Sequence, residues 1–181
     1  MRKICITSFD PFDGRRVNVS REVVNKLDDI SIIKENLKVS YNIKPDIERI
    51  LNNDLDILIL TGEAQGRDVL TLEKLAINLK SATRPDNDGT ICFNQKIGDG
   101  CDAYFSNVDV LELNKKLNDL GYNTKVSLSA GTYVCNLSYY HALEFVKKNN
   151  IKTKVLFIHY SVDYTKIDEY VKTTKKIIEL I

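Results

Sequence analysis

The chain is poor in the residues that build metal sites and disulfide frames. It has two histidines, His141 and His159, and four cysteines, Cys5, Cys92, Cys101 and Cys135, with no C-x-x-C spacing among them. With no His/Cys cluster, a structural zinc site is not expected. The cysteines are expected as free thiols. Long apolar runs are also missing, which argues against a membrane-spanning segment. Met1-Arg2-Lys3 leads into only a short apolar run before Phe9-Asp10-Pro11, so no signal peptide is expected and the reading is cytoplasmic. Charge of one sign is absent as well. A net charge of +1 at pH 7 supplies no field that would steer the chain toward nucleic acid or an anionic membrane. No internal repeat, linker or low-complexity segment interrupts the chain.

What is present suits one globular domain over residues 1–181, with 43% apolar and 28% charged residues. Lys3–Thr7 reads as a short buried strand running into the loop S-F-D-P-F-D-G. A helix is expected from Ser20 to Leu27, a second strand near Leu37–Tyr41 within a weakly alternating stretch from Ile30, and a short helix over Pro45–Asn53. Asp56–Thr61 is a continuous apolar run, the mark of a central strand covered on both faces, and it ends in the loop G-E-A-Q-G-R. Leu70–Leu79 is ambiguous by period; read as one strand, it puts Glu73 on a face with Leu75, Ile77 and Leu79. Ser81–Gly100 is a long polar loop with a small hairpin around Thr90–Gln95. A helix over Val108–Leu120, a strand over Thr124–Leu128, a helix over Cys135–Lys148, a strand over Lys154–His159 and a helix over Asp163–Leu180 complete the chain. This alternation argues for an α/β fold, a three-layer α/β/α sandwich on a mostly parallel sheet.

The stretch V-S-L-S-A-G-T-Y-V-C-N-L-S-Y-Y places Cys135 where a strand and loop give way to a helix. Unpaired N–H groups and the positive end of the dipole at a helix start favour thiolate, the nucleophilic form. The alternative is a small buried cysteine closing a helix–sheet contact. In open α/β sheets, sites collect beyond the carboxyl ends of the strands. That rule sends S-F-D-P-F-D-G, G-E-A-Q-G-R, Cys135 and His159 to one rim. A nucleophilic cysteine needs a base. His141 lies six residues along the same helix, turned by about 240° and displaced by about 9 Å, so His159 is favoured. Glu73, an acid on an apolar face, is the best group to orient the imidazole, with Glu63 and Asp163 as rivals. A salt bridge or simple exposure would equally account for Glu73.

These motifs resemble those of pyroglutamyl peptidase I, over nearly the whole chain and in order. S-F-D-P-F-D-G with Asn18 is similar to the family's opening motif. G-E-A-Q-G-R…L-T-L-E-K-L-A-I-N resembles its glutamate signature, S-L-S-A-G-T-Y-V-C-N its cysteine signature and F-I-H its histidine motif. The resemblance implies a cysteine exopeptidase that removes an N-terminal pyroglutamyl residue from peptides. It implies Cys135 as nucleophile, His159 as base and acid, and Glu73 as orienting carboxylate. Phe9, Phe12, Tyr133 and Val134 fall at pocket positions, no cofactor is implied, and a homo-oligomer, dimer or tetramer, is common in the family. Asp13 and Gln65 stand where the family has glycine, Glu63 where many members have glutamine, and Arg84 one position later than its counterpart. The two added acids suggest a rival reading, a related amidase with altered acyl specificity. A non-catalytic binding protein on the same fold is a third.

Overall fold

The computed structural model describes residues 2–29 and 31–181. In chain order the elements are β1 (Ile4–Phe9), α1 (Val19–Lys26), β2 (Ile32–Leu37), α2 (Lys44–Leu51), β3 (Ile57–Ala64), β4 (Leu70–Glu73), β5 (Leu75–Ile77), β6 (Ala103–Phe105), α3 (Val110–Asp119), β7 (Thr124–Ser127), α4 (Val134–Lys148), β8 (Lys154–Ser161) and α5 (Ile167–Leu180). Six strands form one sheet in the order β2-β1-β3-β8-β4-β7. The first four run parallel, and β4 and β7 run against them. The small pair β5 and β6 is antiparallel and stands apart from the main sheet.

The three layers follow from a period of two in strands buried on both faces. Cys5, Leu58, Leu60, Val155 and Phe157 pack against α2 and α4, through residues such as Ile47, Ile50, Tyr139 and Leu143. Their chain neighbours Ile4, Ile6, Ile57, Ile59, Leu156 and Ile158 pack against α1, α3 and α5, through Val23, Val24, Leu113, Leu117, Tyr170 and Ile177. The mostly parallel sandwich expected from the alternation is the fold observed.

Several expected boundaries differ. The second strand is Ile32–Leu37, not Leu37–Tyr41, and Ile30 lies outside the described residues. As an edge strand it buries Ile32 and Leu37 but exposes Ile33 and Lys34 between them, so it carries no clean alternation. Residues after Leu37 serve another purpose: Val39 O accepts from Asn87 N at 2.8 Å and Tyr41 N donates to Asp86 at 2.7 Å, tying down the long loop. Leu70–Leu79 is not one strand. The chain leaves the main sheet at Lys74, so Glu73 and Leu75 belong to different sheets. There is no hairpin within Thr90–Gln95; Lys80 instead bridges Gln95 and Ala82 N donates to Cys92 O, folding the long loop back on its own start. The strand β6 has no counterpart in the sequence reading. The last helix begins at Ile167, after a 3-10 turn over Tyr164–Lys166.

Candidate active site

The reversed direction of β4 builds the centre of the site. In its antiparallel ladder with β8, Thr71 lies opposite His159 and Glu73 opposite Phe157. Glu73 and His159 are therefore diagonal neighbours on the face that carries Phe157, the face that α4 covers. The His159 Nδ1 and Glu73 Oε1 atoms are 2.8 Å apart. A carboxylate only accepts, so Nδ1 carries the proton and Nε2 is left as the acceptor. Glu73 is fully buried, and its position behind the imidazole keeps it out of the cavity that His159 lines. On the other side of β8, Gly62 of β3 pairs with His159. A Cβ on Gly62 would sit 2.8 Å from the Cys135 Sγ and 3.4 Å from His159 Cδ2, so only glycine lets thiol and imidazole approach over this strand. Because Cδ2 adjoins Nε2, the accepting edge of the ring lies on the side where the sulfur is.

Cys135 is the second residue of α4, whose N-cap, Tyr133, supplies no side-chain hydrogen bond. The first N–H groups of the helix thus have no carbonyl partner within it. Since β7 runs against β3 and β8, residues 128–133 must bring the chain back before α4 can start. Gly131 turns it with φ 80°. Ser81 N donates to Thr132 O and Thr132 Oγ1 to Ser81 O, at 2.8 and 2.6 Å. Asn136, beside the cysteine, is buried and binds Ile77 N, Ile77 O and Leu79 O, which fixes the helix start to β5.

The expected thiolate is not what this environment favours. Burial, with the carboxylates of Glu73 and Glu63, pushes the Cys135 thiol up to about 12; Arg84 and the cysteine's own N–H pull the other way without offsetting them. Desolvation of the charge outweighs the helix start. Burial thus opposes the ionised form of this thiol.

The cavity over these groups measures about 560 Å³. Phe9, Phe12, Tyr133, Val134, Cys135 and His159 all line it, so the strand-end motifs do meet at one site. The Phe12 and Tyr133 rings lie 6.0 Å apart, and Tyr133 Oη donates to Pro85 O at 2.8 Å. Asp13 and Gly14 form a tight turn with φ 57° and 70°, closed by Arg15 N to Phe12 O. A glycine-like conformation is required at residue 13, and aspartate is among the side chains that tolerate it. Each acid that suggested a changed specificity has an arginine beside it. Glu63 is held by Arg15 at 2.6 Å and accepts from Val19 N at 2.8 Å. Asp13 lies 3.7 Å from Arg84, whose guanidinium also sits over the Phe12 and Tyr133 rings at 5.7 and 5.4 Å.

The rivals fall elsewhere. Asp163 caps the turn after β8 by accepting from Thr165 N and Oγ1. Glu63 is engaged by Arg15 and the start of α1. His141 is a buried packing group that burial holds down to about 4. Sequence reasoning missed Gly62, Arg67 and Asn136, which act through geometry that only the strand pairing reveals. It also missed Asp86, which accepts from Tyr41 N, Asp88 N and Thr90 N and shapes the part of the long loop over residues 85–90.

Comparison with known proteins points the same way. A family model described as pyroglutamyl peptidase matches residues 2–173. A pyrrolidone-carboxylate peptidase of Brachyspira hyodysenteriae is 39% identical over 166 residues, covering 87% of this chain and 82% of the relative. One from Thermococcus onnurineus is 37% identical over 164 residues, covering 87% and 82%. A mutant pyrrolidone carboxyl peptidase from the hyperthermophile Pyrococcus furiosus superposes with a TM-score of 0.91 at 26% identity, covering 98% of this chain and 96% of that one.

Proposed function

The chain belongs to the pyroglutamyl peptidase family, and on that footing we propose that it is a single-domain cysteine exopeptidase that hydrolyses the bond after an N-terminal pyroglutamyl residue. The observation that carries the reading is the series Glu73–His159–Cys135, in which His159 and Cys135 line an aromatic-walled cavity and Glu73 is buried behind the imidazole. Cys135 Sγ attacks the acyl carbonyl carbon as His159 Nε2 takes the thiol proton. Glu73 holds the imidazole in the required tautomer and stabilises the imidazolium. The oxyanion is placed against the N–H of Cys135 at the open helix start. His159 then gives its proton to the leaving amine, and a thioester remains on Cys135. Water attacks the thioester, losing a proton to His159; the free acid leaves and the thiol regains its proton.

The acyl pocket supports a neutral ring. Phe12 and Tyr133 offer flat faces to a lactam, and Arg15 and Arg84 balance Glu63 and Asp13, so no unpaired anion invites a cationic group. That balance counts against the altered-specificity reading. Among the described residues no helix is long and apolar enough to cross a membrane, and a reducing compartment such as the cytosol suits a reactive thiol.

A panel of chromogenic amides tests this. Pyroglutamyl amide is expected to exceed prolyl amide, its cationic analogue lacking the lactam carbonyl, by about 10³-fold or more in kcat/KM, since a site built to hydrogen-bond a polar group rejects analogues without it. A prolyl or glutamyl amide turned over as well as the pyroglutamyl one would overturn the assignment.

A further inference from the structure

Arg67 does more than close the loop between β3 and β4. Its Nη2 lies 3.0 Å from Glu73 Oε1 and donates to Ser129 O at 2.9 Å, while Nη1 donates to Thr71 Oγ1 at 2.9 Å. Thr71 Oγ1 in turn donates to Glu73 Oε1 at 3.4 Å. One guanidinium therefore touches the carboxylate behind the imidazole, the strand that carries it, and the segment that returns the chain to Cys135.

Building on the peptidase reading, we propose that Arg67 is a positioning residue that sets the Glu73 carboxylate and the nucleophile-bearing segment in one grip and serves as the standing counter-ion of the buried Glu73. A fully buried carboxylate needs a partner of opposite charge. The other charged or titratable groups facing this pair are occupied otherwise. Cys135 on α4 is a thiol whose ionisation burial opposes, Tyr139 on α4 donates its hydroxyl to the Glu73 backbone carbonyl, Glu63 on β3 is taken by Arg15, and Arg84 of the long loop is turned to Asp13 and the aromatic rings. Lysine could supply the charge but not the planar fork that reaches Thr71 and Ser129 together.

The test compares wild type with Arg67→Gln and Arg67→Lys. Without the guanidinium, the Glu73–His159 pair holds a proton more readily on whichever partner, and the base is lost at higher pH. In Arg67→Gln, kcat is expected to fall about ten- to a hundredfold with KM nearly unchanged, and the acid limb of the kcat/KM profile to move up by about one pH unit. Arg67→Lys should return the limb to its wild-type position while recovering only part of kcat. A role in loop packing alone would lower kcat and leave the limb in place, which overturns the proposal, as does a Lys variant no better than Gln. Should Arg67→Gln not fold, Arg67→Lys decides: wild-type kcat in that variant overturns the fork. Iodoacetamide alkylation mapped to Cys135 needs no substrate and should slow about threefold or more in Arg67→Gln at pH 8, because loss of the cation disfavours thiolate. Slowed alkylation in a chain that ignores pyroglutamyl amides would sink the peptidase reading and leave this inference standing; unchanged alkylation in an active enzyme would do the reverse.

Discussion

Cys135→Ser should lower turnover of a pyroglutamyl amide by about 10³-fold or more, equivalent to about 4 kcal/mol of lost transition-state stabilisation, while leaving the melting temperature close to wild type. Sulfur and oxygen differ little in bulk, and the residue is held by α4 and not by its side chain, so the fold has no reason to respond. The chemistry does. In the proposed mechanism, a thiol pushed up to about 12 by burial and by Glu73 and Glu63 reacts because the adjacent imidazole removes its proton during attack. A hydroxyl in the same surroundings holds its proton more tightly still and is the poorer nucleophile. Turnover within tenfold of wild type would remove Cys135 from the mechanism.

Glu73→Gln should lower kcat by about 10³- to 10⁴-fold, the range expected when a base-orienting carboxylate becomes an amide. KM should change little, because Glu73 stands behind His159 and outside the cavity. The amide can turn its NH2 toward Nδ1, which forces the proton onto Nε2 and leaves no base facing the sulfur. It also removes the charge that stabilises the imidazolium. Stability should fall only modestly, since Arg67 keeps partial access to solvent and can rehydrate once its partner is neutral. Steady-state kinetics with a thermal melt read both quantities. A loss confined to KM would place Glu73 in the pocket wall and contradict the series.

Much of this arrangement was legible before any coordinates. The helical turn between Cys135 and His141 sufficed to prefer His159, and Glu73 stood out as an acid in apolar company. Continuous apolar runs marked β3 and β8 because strands covered on both faces show no polar side. The less legible parts depend on strand direction and pairing. The antiparallel contact of β4 on β8 makes Glu73 and His159 diagonal neighbours, and no periodicity encodes it. The break at Lys74 was hidden because both flanking strands have apolar residues on the inward side. β2 was misplaced because an edge strand with Ile33 and Lys34 exposed lacks alternation. The helix start beside Cys135 was visible in sequence, but the desolvation and the two nearby carboxylates that push the thiol up were not. Asp13 and Glu63 looked like an altered pocket until Arg15 and Arg84 were seen beside them.

Labelling with a pyroglutamyl chloromethyl ketone tests the central claim most directly, because it joins the acyl preference to the nucleophile in one observation. Cys101 is the exposed thiol and Cys5 and Cys92 are buried, so indiscriminate alkylation would mark Cys101 first. The expected result is one label per chain, on the peptide carrying Cys135, with activity lost in step and protection by excess 2-pyrrolidone. Label on Cys101 in a chain that keeps its activity, or loss of activity with Cys135 unmodified, would contradict the account.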